Sequence, residues 1–317
     1  APPSPAASAA AGEVPDLGAG AGAELVKEWE AVRRAVPADR YEALCKLRAC
    51  VAHLDTHAAC ASEPHSRQAL TLLRYLKARN SNVEQAAALL TDALEWRRTF
   101  GLDEKLRAWR AEWEEGRSSR VQWLQKYDFI QLCGSDRDGL PVYIHMVGQG
   151  DPMGIARTAG EEALLLRLVM TFEHQIAADR EMFRKTGRLP RGAIEIYDLG
   201  NYADTPGSQL KRGFKMIPLY KGFAHVFDKV YPERMRTVFV VRAPSVFDIF
   251  WRAMYPLLPE ATRNKCKVFG YRSRTWLEEM GANIPPGTIP AWLRTDDKAS
   301  WSHAELLGGL VPADTPA

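Results

Sequence analysis

The fold of this chain is decided by residues 231–270, which read YPERMRTVFVVRAPSVFDIFWRAMYPLLPEATRNKCKVFG. The apolar run at residues 238–241 is β-branched and aromatic, as is typical of a strand buried on both faces of a mainly parallel sheet. Ala243 and Pro244 end this strand. A second short strand is predicted at residues 266–269.

Between the two strands, residues 246–258 are apolar on almost every side, with Asp248 and Arg252 as the exceptions. Ser245 is placed to cap the first turn of a helix there. A helix that is apolar all round must be buried in protein or in lipid. At about 1.5 Å per residue it is roughly 20 Å long, too short for a hydrocarbon core of about 30 Å. We therefore expect a lid over an apolar cavity.

The composition favours a soluble globular protein: 46% of the 317 residues are hydrophobic, 26% are charged, and the formal net charge is +3. That charge is too small to imply a nucleic-acid partner. No apolar run reaches the roughly eighteen residues of a transmembrane helix, and the opening lacks the basic segment of a secretory signal. Five cysteines, an odd number without short paired spacing, favour a reducing compartment. We expect a cytoplasmic protein.

The pattern along the chain changes from helical to alternating strand and helix, which predicts an α/β sheet with crossover helices. We expect a disordered Ala/Pro/Gly-rich leader at residues 1–22, a helical subdomain at 23–118, the α/β domain at 119–294 and a tail at 295–317. Within the helical part, Ser81 and Glu84 have capping-box spacing for a helix at residues 83–99.

Three stretches together resemble a known family. Residues 72–98 (LLRYLKARNSNVEQAAALLTDALEWRR), 136–144 (DRDGLPVYI) and 231–270 stand in the order found in the Sec14-like, or CRAL-TRIO, lipid-transfer proteins. The resemblance implies a helical N-terminal subdomain, then a lipid-binding domain with a mainly parallel sheet and an apolar gate helix. The family commonly closes this domain with Leu-Pro-x-x-x-Gly-Gly. Here residues 289–295 lack the two glycines.

The resemblance also implies a ligand and a set of site residues. Phosphatidylinositol is the favoured ligand, exchanged by transient contact with a membrane surface, without a cofactor or a metal. The implied headgroup residues are Arg79, Glu233, Arg234, Thr262 and Lys265, and the implied gate and acyl-pocket residues are Val246, Phe247, Phe250, Trp251, Met254 and Tyr255. Lys265, Thr262 and Arg79 can donate to a phosphodiester, and Glu233 can orient Lys265 or accept from inositol hydroxyls. Without the resemblance, these would be surface charges and core aromatic residues.

Some members of the family also hold phosphatidylcholine, in a choline site of tyrosines and small hydroxyl residues. By alignment of the motifs, the matching positions here are Leu132, Tyr143, Phe172, Ala193 and Glu195, of which only Tyr143 keeps the family's residue. The resemblance therefore implies that phosphatidylcholine is a poor ligand.

Two other functions are open. One is a carrier of another hydrophobic ligand, such as a tocopherol, a retinoid or a sterol-like molecule. The other is an α/β enzyme, which the lack of a G-x-S-x-G elbow or a phosphate-binding loop disfavours. Asp198, at a strand end, is interpreted as a structural acid. The histidines at 145, 174 and 225 have no evident partner in the sequence.

Cys50, His53, His57 and Cys60 fall on one face of a helix predicted from Asp39 to about Cys60. The two ends of this cluster are about 15 Å apart along a helix, whereas one zinc ion needs its ligands within about 2.3 Å. We therefore predict a helix-packing stripe rather than a metal site.

Overall fold

The computed structural model describes residues 13–57, 65–116, 118–148, 150–200, 206–258, 260–270, 273 and 275–294. The chain divides into two compact units. The helical unit contains the described residues up to Lys105, together with Arg180–Leu189 and Val226–Glu233. The sheet unit contains Leu106–Asp179, Pro190–His225 and the described residues from Arg234 onward. The predicted tail at 295–317 lies outside the described residues.

The helices are α1 (Ala23–Ala35), α2 (Ala38–Val51), α3 (Ala69–Lys77), α4 (Val83–Phe100), α5 (Leu102–Glu115), α6 (Ser119–Tyr127), α7 (Pro152–Ala159), α8 (Glu161–Thr186), α9 (Pro206–His225), α10 (Phe247–Met254), α11 (Glu260–Arg263), α12 (Thr275–Gly281) and α13 (Ala291–Arg294). A π-helical turn, Val226–Val230, follows α9 directly. In the part of the chain that the structure describes, no helix is long and apolar enough to cross a membrane.

The core of the helical unit forms where α1 to α4 bury their apolar sides. Trp29, Leu44, Leu72 and Leu90 are each completely buried there. Leu17 is also buried in this core. The described residues before α1 therefore pack against the unit, and the prediction of a disordered leader is wrong for them.

The start of α4 differs from the predicted capping box. Ser81 has a φ of +65° and belongs to the turn before the helix. The cap falls on the next residue, Asn82, whose side chain accepts a hydrogen bond from the Gln85 backbone N–H at 2.9 Å. Asparagine is among the best residues at this position because its side-chain oxygen satisfies an otherwise unpaired N–H.

The predicted packing stripe on α2 is also wrong for two of its members. The α-helix ends at Val51, and a 3₁₀ turn, Ala52–His57, follows. Cys50, in the last turn of α2, and His53, in the 3₁₀ turn, are both exposed. Cys60 lies outside the described residues.

The sheet unit is built on five strands in the order β1-β2-β3-β4-β5, which is also their order along the chain. They are β1 (Ile130–Ser135), β2 (Pro141–His145), β3 (Ala193–Asp198), β4 (Met235–Ala243) and β5 (Cys266–Gly270). The first pair is antiparallel and the other pairs are parallel. The predicted α/β class with a mainly parallel sheet is confirmed.

The register brings together residues from distant parts of the sequence on one face of this sheet. Tyr143 of β2 lies opposite Glu195 of β3, which lies opposite Val238 of β4; in the next row, His145 lies opposite Tyr197, which lies opposite Val240. Since side chains alternate along a strand, both rows project from the same face. The opposite face is apolar, with Ile144, Ile196 and Phe239 buried.

The end of β4, immediately before α10, is fixed by a buried ion pair. Arg242 has a φ of +53°, and its Nε donates to Asp198 Oδ1 at 2.7 Å while its Nη2 bonds Oδ2. Gly200 leaves room for the guanidinium, since a Cβ there would lie 2.6 Å from Arg242 Nε. Asp198 therefore has a structural partner, in agreement with its interpretation as a structural acid.

Candidate functional site

The predicted gate segment is two pieces instead of one helix over residues 246–258. The α-helix α10 ends at Met254 and a 3₁₀ turn, Tyr255–Leu257, follows. Pro256 explains the break, because a proline has no N–H to donate and its ring clashes with the preceding turn of an α-helix. At the other end, the cap position is occupied by Val246 with no side-chain cap bond, so the prediction for Ser245 is wrong.

The helix α10 is amphipathic, which corrects the expectation that it is apolar all round. Phe247 and Met254 are buried on one side. On the other side, Ile249 is 53% exposed, and Asp248 and Arg252 are exposed with it. One side of α10 therefore faces solvent.

The buried side of α10 lies on the sheet face that carries β4. Phe247 clusters with Val238 and Val240, and Trp251 packs against the same cluster. The rings of Phe247 and Trp251 are stacked with centroids 5.8 Å apart. Phe250 meets Phe214 of α9 edge-on, with centroids 6.3 Å apart. Phe247, Phe250 and Trp251 thus form one aromatic layer over β4.

Thr262 and Lys265 are brought together in the turn that enters β5. The Lys265 N–H donates to the Thr262 carbonyl at 3.1 Å, and the Lys265 carbonyl accepts from Val238 N–H at 2.9 Å. Burial raises the pKa of the neighbouring Cys266 thiol to about 11, against the opposing effect of the Lys265 charge. Two of the three predicted phosphate donors, Thr262 and Lys265, therefore lie next to the strand on which α10 packs.

A contact that sequence reasoning missed connects this turn to the end of the gate segment. The guanidinium of Arg263 lies over the ring of Tyr255, 4.5 Å from its centroid. Cation–π contacts of this kind contribute roughly 0.5–1 kcal/mol at exposed sites. Tyr255 is 44% exposed. The contact therefore holds α11 to the residue that follows α10, without fixing it strongly.

In the helical unit, Glu233 already has a cationic partner. Its Oε2 lies 2.8 Å from Lys77 Nζ, and its backbone carbonyl accepts from Arg74. Arg79 is half-buried, donates to the Ala78 carbonyl at 2.8 Å, and acts by its charge on Asp228. Lys77 was not among the predicted site residues.

Arg234, in the sheet unit, is buried and its Nη1 lies 3.0 Å from Asp179 Oδ2. Removing one partner of a buried ion pair leaves an uncompensated buried charge, so this pair stabilises the sheet unit. This arrangement favours a structural role for Arg234 over the predicted headgroup contact.

A buried polar cluster stands on the same sheet face as α10. His145 Nε2 lies 2.6 Å from Glu195 Oε2, and Gln175 Nε2 of α8 donates to Glu195 Oε1 at 2.7 Å. The ring of His145 is stacked on Tyr197, with centroids 4.4 Å apart. Burial raises the pKa of the Tyr197 phenol, which therefore stays protonated. His145 thus has a carboxylate partner that the sequence did not reveal.

His174 likewise has a partner, because its Nδ1 is hydrogen-bonded to the Tyr143 hydroxyl. A signal for the cluster was present in the sequence: polar residues occupy every second position of β2 and β3, at Tyr143, His145, Glu195 and Tyr197. In strands that are otherwise apolar, such alternation places the polar groups on one face.

These features define a class: an α/β unit in which an aromatic amphipathic helix lies on a mainly parallel sheet. Residues 125–293, more than half of the chain, match the family model described as the CRAL/TRIO domain. The chain therefore belongs to the CRAL/TRIO family, whose domains bind and transfer lipids and whose members are generally carriers and not enzymes.

The chain is similar to several larger proteins. It is 29% identical over 248 residues to Protein real-time of Aedes aegypti, covering 76% of this chain and 35% of that protein. It is 30% identical over 226 residues to a CRAL-TRIO domain-containing protein of Caenorhabditis elegans, covering 70% of this chain and 29% of that protein. The chain thus spans about a third of the length of these curated relatives.

A solved structure is also similar, that of Sfh5. The TM-score is 0.45 at 15% sequence identity, over 73% of this chain and 80% of Sfh5.

Proposed function

We propose that this chain binds phosphatidylinositol and exchanges it at membrane surfaces, acting as a monomeric cytoplasmic carrier without a cofactor. The main observation that supports this proposal is the position of the turn at Thr262 and Lys265. This turn is hydrogen-bonded to β4, the strand on which α10 packs. Side chains that can donate hydrogen bonds to a phosphate, next to a layer of aromatic rings, suit a ligand with a phosphorylated headgroup and acyl chains.

The physical basis of exchange is the cost of exposing acyl chains to water, about 25 cal/mol per Å² of apolar surface. In this proposal the chains lie beneath α10, against the β4 face, and α10 moves aside at a bilayer. Its exposed Ile249 then meets the membrane first.

The headgroup role falls chiefly to Lys265 and Thr262, with Arg79 and Glu233 carried over from the family resemblance. A lysine ammonium donates three hydrogen bonds and a threonine hydroxyl donates one, which matches a phosphodiester. The Glu233 carboxylate already forms an ion pair with Lys77.

Replacing Lys265 with alanine tests the proposal. Losing a charged hydrogen bond costs roughly 1.5–3 kcal/mol, so phosphatidylinositol transfer between vesicles should fall by about tenfold or more. Lys267→Ala is the matched control, because Lys267 lies two residues further along the same segment and pairs with Glu279 on the surface. Full transfer by the Lys265→Ala protein contradicts the assignment.

A second candidate is a carrier of a neutral hydrophobic molecule such as a sterol. The buried cluster of His145, Glu195 and Gln175 favours it, since this cluster offers hydrogen bonds inside a face that acyl chains alone would not use.

A further inference from the structure

One side of α9 is exposed and basic. Its side chains are spaced three or four residues apart, which places them on one face of a helix. This face, the α9 stripe, consists of Lys211, Phe214, Lys215, Pro218 and Lys221, all of which are exposed. At 40% exposure, Phe214 adds an apolar surface to the lysines.

The positive charge of the α9 stripe is not compensated locally. The sequence of α9, Pro206–His225, contains no aspartate or glutamate. Among the described residues, no carboxylate forms an ion pair with Lys211, Lys215 or Lys221. Three exposed lysines elsewhere do pair with a glutamate: Lys27 with Glu24, Lys46 with Glu42, and Lys267 with Glu279. The α9 stripe therefore presents a positive surface to an anionic partner.

The α9 stripe lies beside α10. The rings of Phe214 and Phe250 meet edge-on, with centroids 6.3 Å apart. A Cβ at Gly213 would lie 3.0 Å from the Phe250 ring, so this glycine lets the two helices approach closely. Ile249, which precedes Phe250, is 53% exposed. The lysines of α9 thus border exposed apolar side chains of both helices.

The other side of α9 is held in the sheet unit. Met216, Leu219 and Phe223 are buried there. In the proposed exchange α10 moves aside, whereas α9 stays packed on the unit. A contact made through the α9 stripe is therefore kept while α10 opens.

The chemistry of this surface fits an anionic membrane. Lysines beside an exposed phenylalanine are typical of a helix that lies at a membrane interface, where headgroups meet the acyl layer. Asp248 and Arg252 of α10 have opposite charges, so the lysines of α9 decide the sign of the surface. An acidic protein segment would match only the lysines, whereas a membrane matches both the lysines and the exposed Phe214 and Ile249.

We propose that the α9 stripe is a fixed docking surface for membranes that contain acidic phospholipids, and that it holds the chain on the bilayer with α10 facing the lipid. The inference rests on the proposed function for the role of α10, and it adds the kind of membrane that is recognised. Recognition by charge does not depend on which lipid is carried.

The test measures co-sedimentation of the purified full chain with two kinds of vesicle. One contains only phosphatidylcholine, and the other contains equal parts of phosphatidylcholine and phosphatidylserine, so that the negative charge does not come from the proposed cargo. A lysine near an acidic leaflet strengthens binding about fivefold, so the three lysines should give a preference of about a hundredfold for the acidic vesicles. Salt at about 1 M, where the Debye length is near 3 Å, should remove most of this preference.

The variant that carries Lys211→Gln, Lys215→Gln and Lys221→Gln together should bind both kinds of vesicle almost equally. Glutamine has a helix propensity close to that of lysine but no charge, so the fold of α9 is kept.

The matched control carries Lys27→Gln, Lys46→Gln and Lys267→Gln. It loses the same number of positive charges, at exposed positions that are already paired with glutamates. This control should keep the preference for the acidic vesicles, because its α9 stripe is intact.

Equal binding of the wild-type chain to both kinds of vesicle overturns the inference. A loss in the control as large as in the α9 variant also overturns it, because the preference then follows overall charge. Binding to soluble polyglutamate without a preference for acidic vesicles assigns the surface to an acidic protein instead and overturns the membrane assignment.

The proposed function is decided separately, by mass spectrometry of lipid retained from vesicles of phosphatidylcholine and phosphatidylinositol. A chain that prefers acidic vesicles but retains no phosphatidylinositol contradicts the proposed function and supports the docking surface. A chain that retains phosphatidylinositol without preferring acidic vesicles contradicts the docking surface alone.

Discussion

Replacing Asp198 with alanine should be among the most destabilising single changes in the sheet unit. The Asp198 side chain is 0% exposed and that of Arg242 is 2% exposed, so the change leaves an uncompensated buried guanidinium. Removing one partner of such a pair typically costs 3–5 kcal/mol, against a total stability of roughly 5–15 kcal/mol. The Gly200 N–H also loses its acceptor, Asp198 Oδ1.

The assay is urea unfolding followed by circular dichroism, in which the midpoint should fall by on the order of 1 M. Glu279→Ala is the matched control, since it breaks the Lys267–Glu279 pair, whose side chains are 45% exposed, and should cost less than about 1 kcal/mol. Adding Arg242→Met to Asp198→Ala should recover part of the loss. A cost for Asp198→Ala no larger than that of the control refutes the reasoning.

Three further outcomes are expected. Hydrogen exchange in the lipid-free chain should be faster in α10 than in residues 238–241 of β4, and slower once lipid is bound; equal protection of the two segments contradicts a mobile gate. Phosphatidylcholine should load poorly, because Leu132 offers no aromatic face and Ala193 no hydroxyl, and mass spectrometry of lipid retained from mixed vesicles decides this. Burial raises the pKa of Asp228 from 3.8 to about 6, with the Arg79 charge opposing. The folded state then holds a proton that the unfolded state has lost, so stability should fall as the pH rises from about 4 to 6. Asp228→Asn should flatten this slope in thermal unfolding, and an unchanged slope counts against it.

Sequence patterns predicted the α/β sheet because burial of a strand is a local property. The continuous apolar run at residues 238–241 predicts a buried strand from those four residues alone, and β4 contains it. The same reasoning overestimated the gate helix, since periodicity gave no weight to the single proline at 256. Sequence reasoning also placed the cap of α4 at Ser81 and not at Asn82. The backbone geometry, and not the residue type, decides between these two positions.

The site was harder to predict than the fold. Thr262 and Lys265 are close in sequence, so their shared turn followed from the motif. The hydrogen bond between Gln175 and Glu195 did not follow from any motif, because it depends on how α8 lies on β3. Register and helix placement are properties of the assembled sheet, and a single sequence does not state them.

The position of α10 between β4 and β5 in the chain has a mechanical consequence. These two strands are parallel neighbours, so α10 is part of the crossover that joins them and is tethered at both ends. At its start only three residues separate Ala243 from Phe247, which reach about 11 Å at most. At its other end eleven residues separate Met254 from Cys266, and a chain of that length can span more than three times the distance that three residues can. In the proposed exchange we therefore expect α10 to pivot at Pro244, so that its end near Met254 moves further than its start.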